Sequence, residues 1–149
     1  MRAIVQKVSQ ASVEVDKKTI ASIDTGYMVL LGIGKEDTRD DIDWLSRKIA
    51  NLRIFTDENG KMNLSIKQVG GEILLVSQFT LYADVSKGNR PGFTDAADPE
   101  FSNEMYEKVA DSLRKYDINV KTGQFAANMK VSLVNEGPTT IVYDTKHRK

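Results

Sequence analysis

Two short segments of the chain contain residues that could present backbone groups to a ligand. One is Gly137-Pro138, set in Asn135-Glu136-Gly137-Pro138-Thr139-Thr140, and the other is Ser77-Gln78-Phe79-Thr80-Leu81, which closes an apolar run over 73–76. Proline has no N–H to donate, so Pro138 must occupy a strand edge, a turn or a cis bond. Taken alone, each segment is also typical of an ordinary turn or strand end. Together they predict a site that uses main-chain atoms.

The other residue types exclude most side-chain catalysis. The single histidine, His147, stands close to the end of the chain, where a well-held general base is not expected. The absence of cysteine excludes thiolate chemistry and disulfides. Zinc would need clustered His or Cys ligands, and the carboxylates of Asp37, Asp40 and Asp41 instead favour a helix start. We therefore expect neither a metal nor a cofactor.

A glycine-containing segment, Gly32-Ile33-Gly34-Lys35, follows a predicted strand and invites comparison with a phosphate-binding loop. The comparison fails because Val29 stands where that motif needs a glycine, and Glu36 stands where it needs serine or threonine. The sequence of this segment predicts a turn without phosphate chemistry.

The length and net charge of the chain limit the partners that it is expected to bind. The 149 residues predict a single domain over 1–149, and 21 basic residues balance 21 acidic ones. A neutral chain does not hold a long nucleic acid through its overall field, so we expect no DNA partner and only a local RNA contact. Lys87, Arg90 and the tail residues 146–149 are the candidates. No apolar run of membrane-spanning length occurs, which predicts a cytoplasmic protein.

Hydrophobic periodicity predicts a chain that is mainly sheet. Alternating or apolar β-branched runs predict strands over 4–8, 13–15, 27–33, 73–81, 129–133 and 141–143. Two amphipathic helices interrupt them, one with its apolar face at 42, 45, 49 and 52, the other at 101, 105, 109 and 113 after Asp98-Pro99. Residues 83–98 form a long loop directly after residues 77–81, where it could frame a site.

Five segments in a fixed order carry a resemblance to a known family. They are Met1-Arg2-Ala3-Ile4-Val5-Gln6, Ser77-Gln78-Phe79-Thr80-Leu81, Lys87-Gly88-Asn89-Arg90-Pro91, residues 125–129 and residues 135–140. On these motifs the chain resembles the D-aminoacyl-tRNA deacylases, also called D-tyrosyl-tRNA deacylases, over essentially its whole length. Three positions depart from the family pattern: Lys7 replaces arginine, Ala126 replaces glycine and Thr139 replaces valine. If position 7 helps to lock the Gly-Pro loop, Lys7 would hold it less firmly, because lysine lacks the planar fork of arginine.

The resemblance implies an α+β fold, with a mainly antiparallel, barrel-like sheet and two amphipathic helices on one side. It implies a homodimer with sites at the subunit interface. Gly137-Pro138 would be cis and would reach into the partner's site, opposite the partner's 77–80 segment. The substrate would be a D-amino acid esterified to the terminal ribose of tRNA, hydrolysed without a cofactor.

The implied catalytic segment is Ser77, Gln78, Phe79 and Thr80. Backbone amides near Phe79 and Thr80 could stabilise the tetrahedral oxyanion, at on the order of 3 kcal/mol per donor. Thr80 could attack directly, but its hydroxyl lacks a base, so positioning a water with help from the substrate's ribose hydroxyl is favoured. Gln78 could bind the terminal adenosine, and Lys87 and Arg90 the acceptor-stem phosphates.

The carbonyls of Gly137 and Pro138 would accept from the α-amino group and occupy the space of an L side chain. Such a filter has no steric means of rejecting glycine, so activity on glycyl-tRNA is expected. Two alternatives remain open from the sequence. One is a non-catalytic dimeric β-module that binds an RNA end, and the other is an esterase for small acyl esters.

Overall fold

The fold contains eight strands, two α-helices and one 3-10 turn, and the computed structural model describes residues 1–149. The strands are β1 (Arg2–Val15), β2 (Lys18–Ile23), β3 (Gly26–Gly32), β4 (Arg53–Thr56), β5 (Met62–Ser65), β6 (Glu72–Ser77), β7 (Val120–Thr122) and β8 (Lys130–Asp144). The helices are α1 (Arg39–Asn51) and α2 (Pro99–Arg114), and the 3-10 turn is Phe79–Tyr82. The predicted α+β class is confirmed.

Six strands form one sheet that curls into a nearly closed barrel. Strand β1 pairs antiparallel with β2, β3 and β8, whereas β6 pairs parallel with both β3 and β7. The sheet is therefore mixed, where the sequence predicts a mainly antiparallel one. The cause lies in the connections: the segments that join β3 to β6 and β6 to β7 each contain a helix, and such crossovers return the chain in the same direction.

Two long strands, β1 and β8, pair from Arg2 opposite Asp144 to Glu14 opposite Lys130. The sequence predicts two shorter strands in place of each, because polar residues interrupt the apolar pattern where the pairing register shifts, beside Val8 and Asn135. The outer edge of β8 pairs with no other strand. An unpaired edge of 15 residues is a surface that proteins usually cover.

Both helices pack on the same side of the sheet, as their apolar faces predict. The buried contacts come from Ile42, Leu45 and Ile49 of α1 and from Met105, Val109 and Leu113 of α2, within a cluster that includes residues of β1, β3 and β6. Asp98 caps α2 as predicted, accepting from the Phe101 amide at 3.0 Å. Neither helix is both long enough and apolar enough to cross a membrane.

The start of α1 is held by a buried carboxylate. Asp41 accepts from the Thr38 amide at 2.8 Å and from Lys146 Nζ at 2.9 Å. Burial alone would raise the pKa of Asp41, but the hydrogen bonds and the nearby ammonium group outweigh it and hold this pKa well below its usual range. The carboxylate therefore stabilises the helix start, as the sequence predicts.

The end of β8 is fastened to α1 around the single tryptophan. Trp44 contacts the Tyr143 ring edge-on at 6.0 Å, and the Arg148 guanidinium lies 5.0 Å from the Trp44 ring centre. Arg148 also pairs with Asp40 at 2.6 Å. Two of the tail cations proposed for RNA, Lys146 and Arg148, are thus engaged with α1.

Candidate active site

A pocket of about 550 Å³ opens where β6 and β7 end. Because parallel strands place their carboxyl ends at one edge of the sheet, the segments that follow β6 and β7 meet there. One wall is Ser77, Gln78 and Phe79; the other is formed by residues 125–129. Two motifs separated by about 50 positions in the sequence are therefore brought together. Apolar side chains, among them Val76 and Val131, supply much of the remaining lining.

The chain bends sharply at the mouth of this pocket. The predicted strand over 73–81 is wrong at its end, because β6 stops at Ser77 and the 3-10 turn follows. Two glycines, Gly32 at the end of β3 and Gly34 just after it, make room for this turn: a Cβ at Gly32 would lie 3.1 Å from Leu81 Cβ, and one at Gly34 would lie 2.8 Å from the Tyr82 hydroxyl. The turn predicted at Gly32-Ile33-Gly34-Lys35 is present from Gly34 onward, where the Gly34 carbonyl accepts from the Asp37 amide at 3.3 Å. The same two glycines also leave the space that the 3-10 turn occupies.

The start of the 3-10 turn offers free backbone donors. The first amide used inside the turn is that of Leu81, which donates to the Gln78 carbonyl at 3.3 Å. The amides of Phe79 and Thr80 precede it, and the first amides of a helical turn have no partner within it. The Phe79 side chain is exposed and meets the Phe93 ring edge-on at 4.9 Å. The geometry thus supplies two adjacent donors beside an apolar pocket.

The Thr80 hydroxyl has an amide as its neighbour rather than a base. Gln78 Nε2 donates to Thr80 Oγ1. His147, the one histidine, pairs with Asp144 Oδ2 at 3.2 Å and does not line the pocket. This arrangement lacks a group that could remove the hydroxyl proton, which an attacking threonine requires.

The second wall of the pocket is supported from α2. The Tyr106 hydroxyl donates to the Leu75 carbonyl at 2.5 Å, and its ring lies 6.1 Å from that of Phe125. Burial raises the pKa of Tyr106 to about 12, so the hydroxyl stays a donor at neutral pH. Ala126 has a φ of 63°, a left-handed conformation that suits glycine, the residue usual in the family at this position.

Gly137-Pro138 lies in a wide bulge of β8. The ladder with β1 pairs Gln6 with Thr140 and Val8 with Asn135, so one residue of β1 faces four of β8, over 136–139. Gly137 has a φ of 121°, and the bond to Pro138 is cis, as the resemblance implies. Both residues are exposed. The bulge thus projects two residues that are released from strand pairing.

A side chain that sequence reasoning did not single out spans the bulge. Asn135 Oδ1 accepts from the Thr139 amide at 3.1 Å, and Asn135 Nδ2 donates to Thr140 Oγ1 at 3.0 Å. Asparagine side chains commonly bond to nearby backbone groups in turns, so an asparagine beside Gly-Pro is a general signal for a local closure. Lys7, opposite the bulge, instead donates to the Ile54 carbonyl at 3.4 Å. Its ammonium group therefore does not hold the bulge.

The bulge and the pocket are separate within one chain. Gly137 and Pro138 do not line the pocket, whereas Val131 of the same strand does. Six residues of strand at ~3.3 Å each place Gly137 roughly 20 Å from Val131 along β8.

Lys87 and Arg90 are exposed at the tip of the long loop, whose base is closed by Asp84 and Gly92 exchanging two bonds of 2.8 Å. The same loop carries Phe93, which contacts Phe79. These two cations therefore lie on the loop that contributes Phe93 to the pocket, but outside the pocket lining.

The chain is similar to proteins of one family over nearly its whole length. A family model described as D-Tyr-tRNA(Tyr) deacylase matches residues 4–144. A D-aminoacyl-tRNA deacylase of Thermosipho africanus is 51% identical over 98% of this chain and 98% of its own length. The protein of that name from Chlorobaculum tepidum is 53% identical over 97% of each chain.

Solved structures agree in fold. One titled c-Myc DNA Unwinding Element Binding Protein is 43% identical, with a TM-score of 0.90 over 97% of this chain and 98% of its own. Another, titled as a probable eukaryotic D-amino acid tRNA deacylase, reaches a TM-score of 0.82 at 18% identity over 95% of this chain and 97% of its own. The second shows that the fold persists when most residues differ.

Proposed function

The chain belongs to the D-aminoacyl-tRNA deacylase family and hydrolyses the ester between a D-amino acid and tRNA, and from this premise we propose that it acts through a composite site in a homodimer. One protomer contributes the pocket, lined by Ser77, Gln78 and Phe79, together with Thr80, which follows directly in the 3-10 turn. The partner contributes the bulge with Gly137 and Pro138. The site holds no cofactor and reads the substrate with backbone atoms.

The separation of bulge and pocket carries this proposal. Gly137-Pro138 projects from β8 roughly 20 Å from the pocket wall at ~3.3 Å per strand residue, so it cannot reach its own pocket. The same strand has an unpaired outer edge and exposes Val134 and Val142. Covering that edge with a second copy of the chain would remove apolar surface from water and place each bulge beside the other pocket.

The pocket chemistry follows from the free amides. Attack of water on the ester carbonyl creates an oxyanion, and the Phe79 and Thr80 amides offer donors for it at a site with an apolar lining. Removing one such donor typically costs about 3 kcal/mol in the transition state. Gln78 holds the Thr80 hydroxyl, so Thr80 orients groups and does not attack.

Chirality is read by the Gly137 and Pro138 carbonyls. They accept from the α-amino group, which all amino acids share, and they occupy the position that an L side chain needs. The α-carbon of glycine carries no side chain that could clash with these carbonyls, so the filter admits glycyl-tRNA. We expect measurable hydrolysis of glycyl-tRNA, and no release of labelled glycine at high enzyme concentration would contradict a purely steric filter.

Lys87 and Arg90 contact the acceptor-stem phosphates. Exchanging both for glutamate should raise KM for aminoacyl-tRNA severalfold, weaken its salt dependence and leave kcat unchanged, because phosphate contacts position the substrate. The control is the slow hydrolysis of the methyl ester of D-tyrosine, which has no acceptor-stem phosphates, and its rate should not change. A fall in kcat alone would contradict this role.

The substrate class is tested with three compounds in one assay: D-tyrosyl-tRNA, L-tyrosyl-tRNA and the methyl ester of D-tyrosine. The proposal expects rapid hydrolysis of the first only. Binding without turnover would favour a non-catalytic RNA-end-binding module. Equal activity on the free ester would favour a small-ester esterase.

The composite site is tested by mixing two inactive variants. Gly137→Val distorts the bulge, since a Cβ at Gly137 would lie 2.5 Å from Thr139 Oγ1. Ser77→Trp fills the pocket. In a random mixture of refolded chains, only heterodimers regain one intact site, so activity should return to about one quarter of the wild-type level. No recovery, with light scattering showing dimers, would refute sharing between protomers.

A further inference from the structure

The 3-10 turn at the pocket mouth needs support from outside. Four residues make too short a helical segment to fix their own orientation. Its start is tied to β3, because the Gln78 amide donates to the Leu31 carbonyl at 2.8 Å. Something must also hold its end, or the direction of the Phe79 and Thr80 amides would vary.

Arg2 of β1 holds that end through two different contacts. Its Nη1 donates to the Leu81 carbonyl at 2.8 Å. The guanidinium carbon lies 4.5 Å from the centre of the Tyr82 ring. A planar guanidinium can stack by its face and donate from its edge simultaneously, which a lysine ammonium cannot do. Arg2 therefore fixes two consecutive residues of the turn.

The surroundings of Arg2 define its geometry. Strand pairing places Arg2 opposite Gly32 on one side and Asp144 on the other. Its Nε lies 3.4 Å from Asp144 Oδ2, but both side chains are partly exposed, so this ion pair contributes little to holding Arg2. Tyr82 is buried in the space that Gly34 leaves open, so its ring is a rigid surface for stacking.

We propose that Arg2 is a positioning residue for the hydrolytic reaction: it sets the orientation of the Phe79 and Thr80 amides by clamping Leu81 and Tyr82. This inference rests on the proposed function of those amides. Since they act on the oxyanion and not on the bound ester, loosening them lowers kcat and leaves KM nearly unchanged. Contact of Arg2 with tRNA itself would have the opposite effect.

The test compares Arg2→Ala, Arg2→Lys and Asp144→Asn with D-tyrosyl-tRNA as substrate. For Arg2→Ala and Arg2→Lys we expect kcat to fall about tenfold, with KM within about twofold, because misaligned donors lose part of their effect. Asp144→Asn keeps the clamp and should retain wild-type kcat. If Arg2→Lys kept the wild-type kcat, the proposed clamp on Leu81 and Tyr82 would be refuted, since a positive charge at position 2 would then be enough for full activity. A raised KM with normal kcat would also refute it.

Hydrogen exchange gives a readout independent of activity. The amides of Leu81 and Ala83, bonded to Gln78 and Thr80 carbonyls at 3.3 and 3.1 Å, should exchange faster in Arg2→Ala. The amides within the β1–β3 ladder should keep their wild-type rates. Uniform acceleration would mean general destabilisation and would refute a local role. If the wild-type protein fails to hydrolyse D-tyrosyl-tRNA, the proposed function fails, whereas the exchange result still decides whether Arg2 orders the turn.

Discussion

Replacing Asn135 by alanine tests whether the bulge is a chiral filter. The substitution removes both side-chain bonds that span the bulge, to the Thr139 amide and to the Thr140 hydroxyl. Each is worth about 1 kcal/mol net, so the held conformation loses about 2 kcal/mol relative to released ones, or roughly 30-fold in population. Gly137 then moves freely, because glycine tolerates many backbone conformations.

We expect the ratio of kcat/KM for D-tyrosyl-tRNA to that for L-tyrosyl-tRNA to fall by up to about 30-fold. If the bulge acts as proposed, the D-substrate loses acceptors for its α-amino group, and the L-substrate loses the clash that excludes it. Both activities are measured by release of labelled tyrosine from the two aminoacyl-tRNAs. The melting temperature is measured alongside, so that loss of fold is recognised.

Two variants make the test sharp. Asn135→Asp keeps an oxygen for the Thr139 amide and another for the Thr140 hydroxyl, which can turn to donate, so the wild-type ratio should return. Asn51→Ala removes a comparable exposed bond, to the Arg47 carbonyl within α1, and leaves both bonds that span the bulge in place, so the ratio should keep its wild-type value. An unchanged ratio in Asn135→Ala, or equal losses on both substrates, would refute the filter.

Three further predictions concern single residues. Thr80→Val should retain at least about one third of wild-type turnover, because its hydroxyl faces an amide and not a base; a loss of a thousandfold or more with normal substrate binding would revive direct attack. Ala126→Gly should raise the free energy of unfolding in urea by about 0.5 kcal/mol, since relief of a left-handed alanine exceeds the added freedom of the unfolded chain; a decrease would contradict this. The lowered pKa of Asp41 means that its stabilisation is complete above its unfolded value of about 3.9 and is lost as pH falls below it. The difference in unfolding free energy between wild type and Asp41→Asn should therefore be larger at about pH 6 than at about pH 3, and growth towards acid would overturn the assignment.

The helices could be predicted from sequence because their signals are local. Thr38 and Asp98 mark both starts, and the apolar residues recur at helical spacing. The direction of the strands could not be predicted from sequence, because parallel or antiparallel pairing depends on where a crossover returns the chain. The sequence predicts two short strands in place of each of β1 and β8 for a related reason. The bulge around Gly137 interrupts the apolar pattern but does not end the strand.

For the candidate site, the sequence predicts segments that line the pocket, but not what orients them. Ser77 and Phe125 meet only because β6 and β7 are parallel neighbours, a long-range fact. The strand expected to reach Leu81 ends four residues earlier, since its apolar residues serve a 3-10 turn whose space comes from Gly32 and Gly34. The role of Asn135 in spanning the bulge could not be predicted from the sequence. Polar residues beside a turn are common, and their side chains often bond to backbone a few residues away.

The position of Trp44 has a practical consequence. As the sole indole in the chain, lying between Tyr143 of β8 and the Arg148 guanidinium, it serves as a built-in optical reporter for the anchoring of that strand. Its emission should respond to detachment of β8 before the helices melt. Unfolding can therefore be followed without attaching a dye.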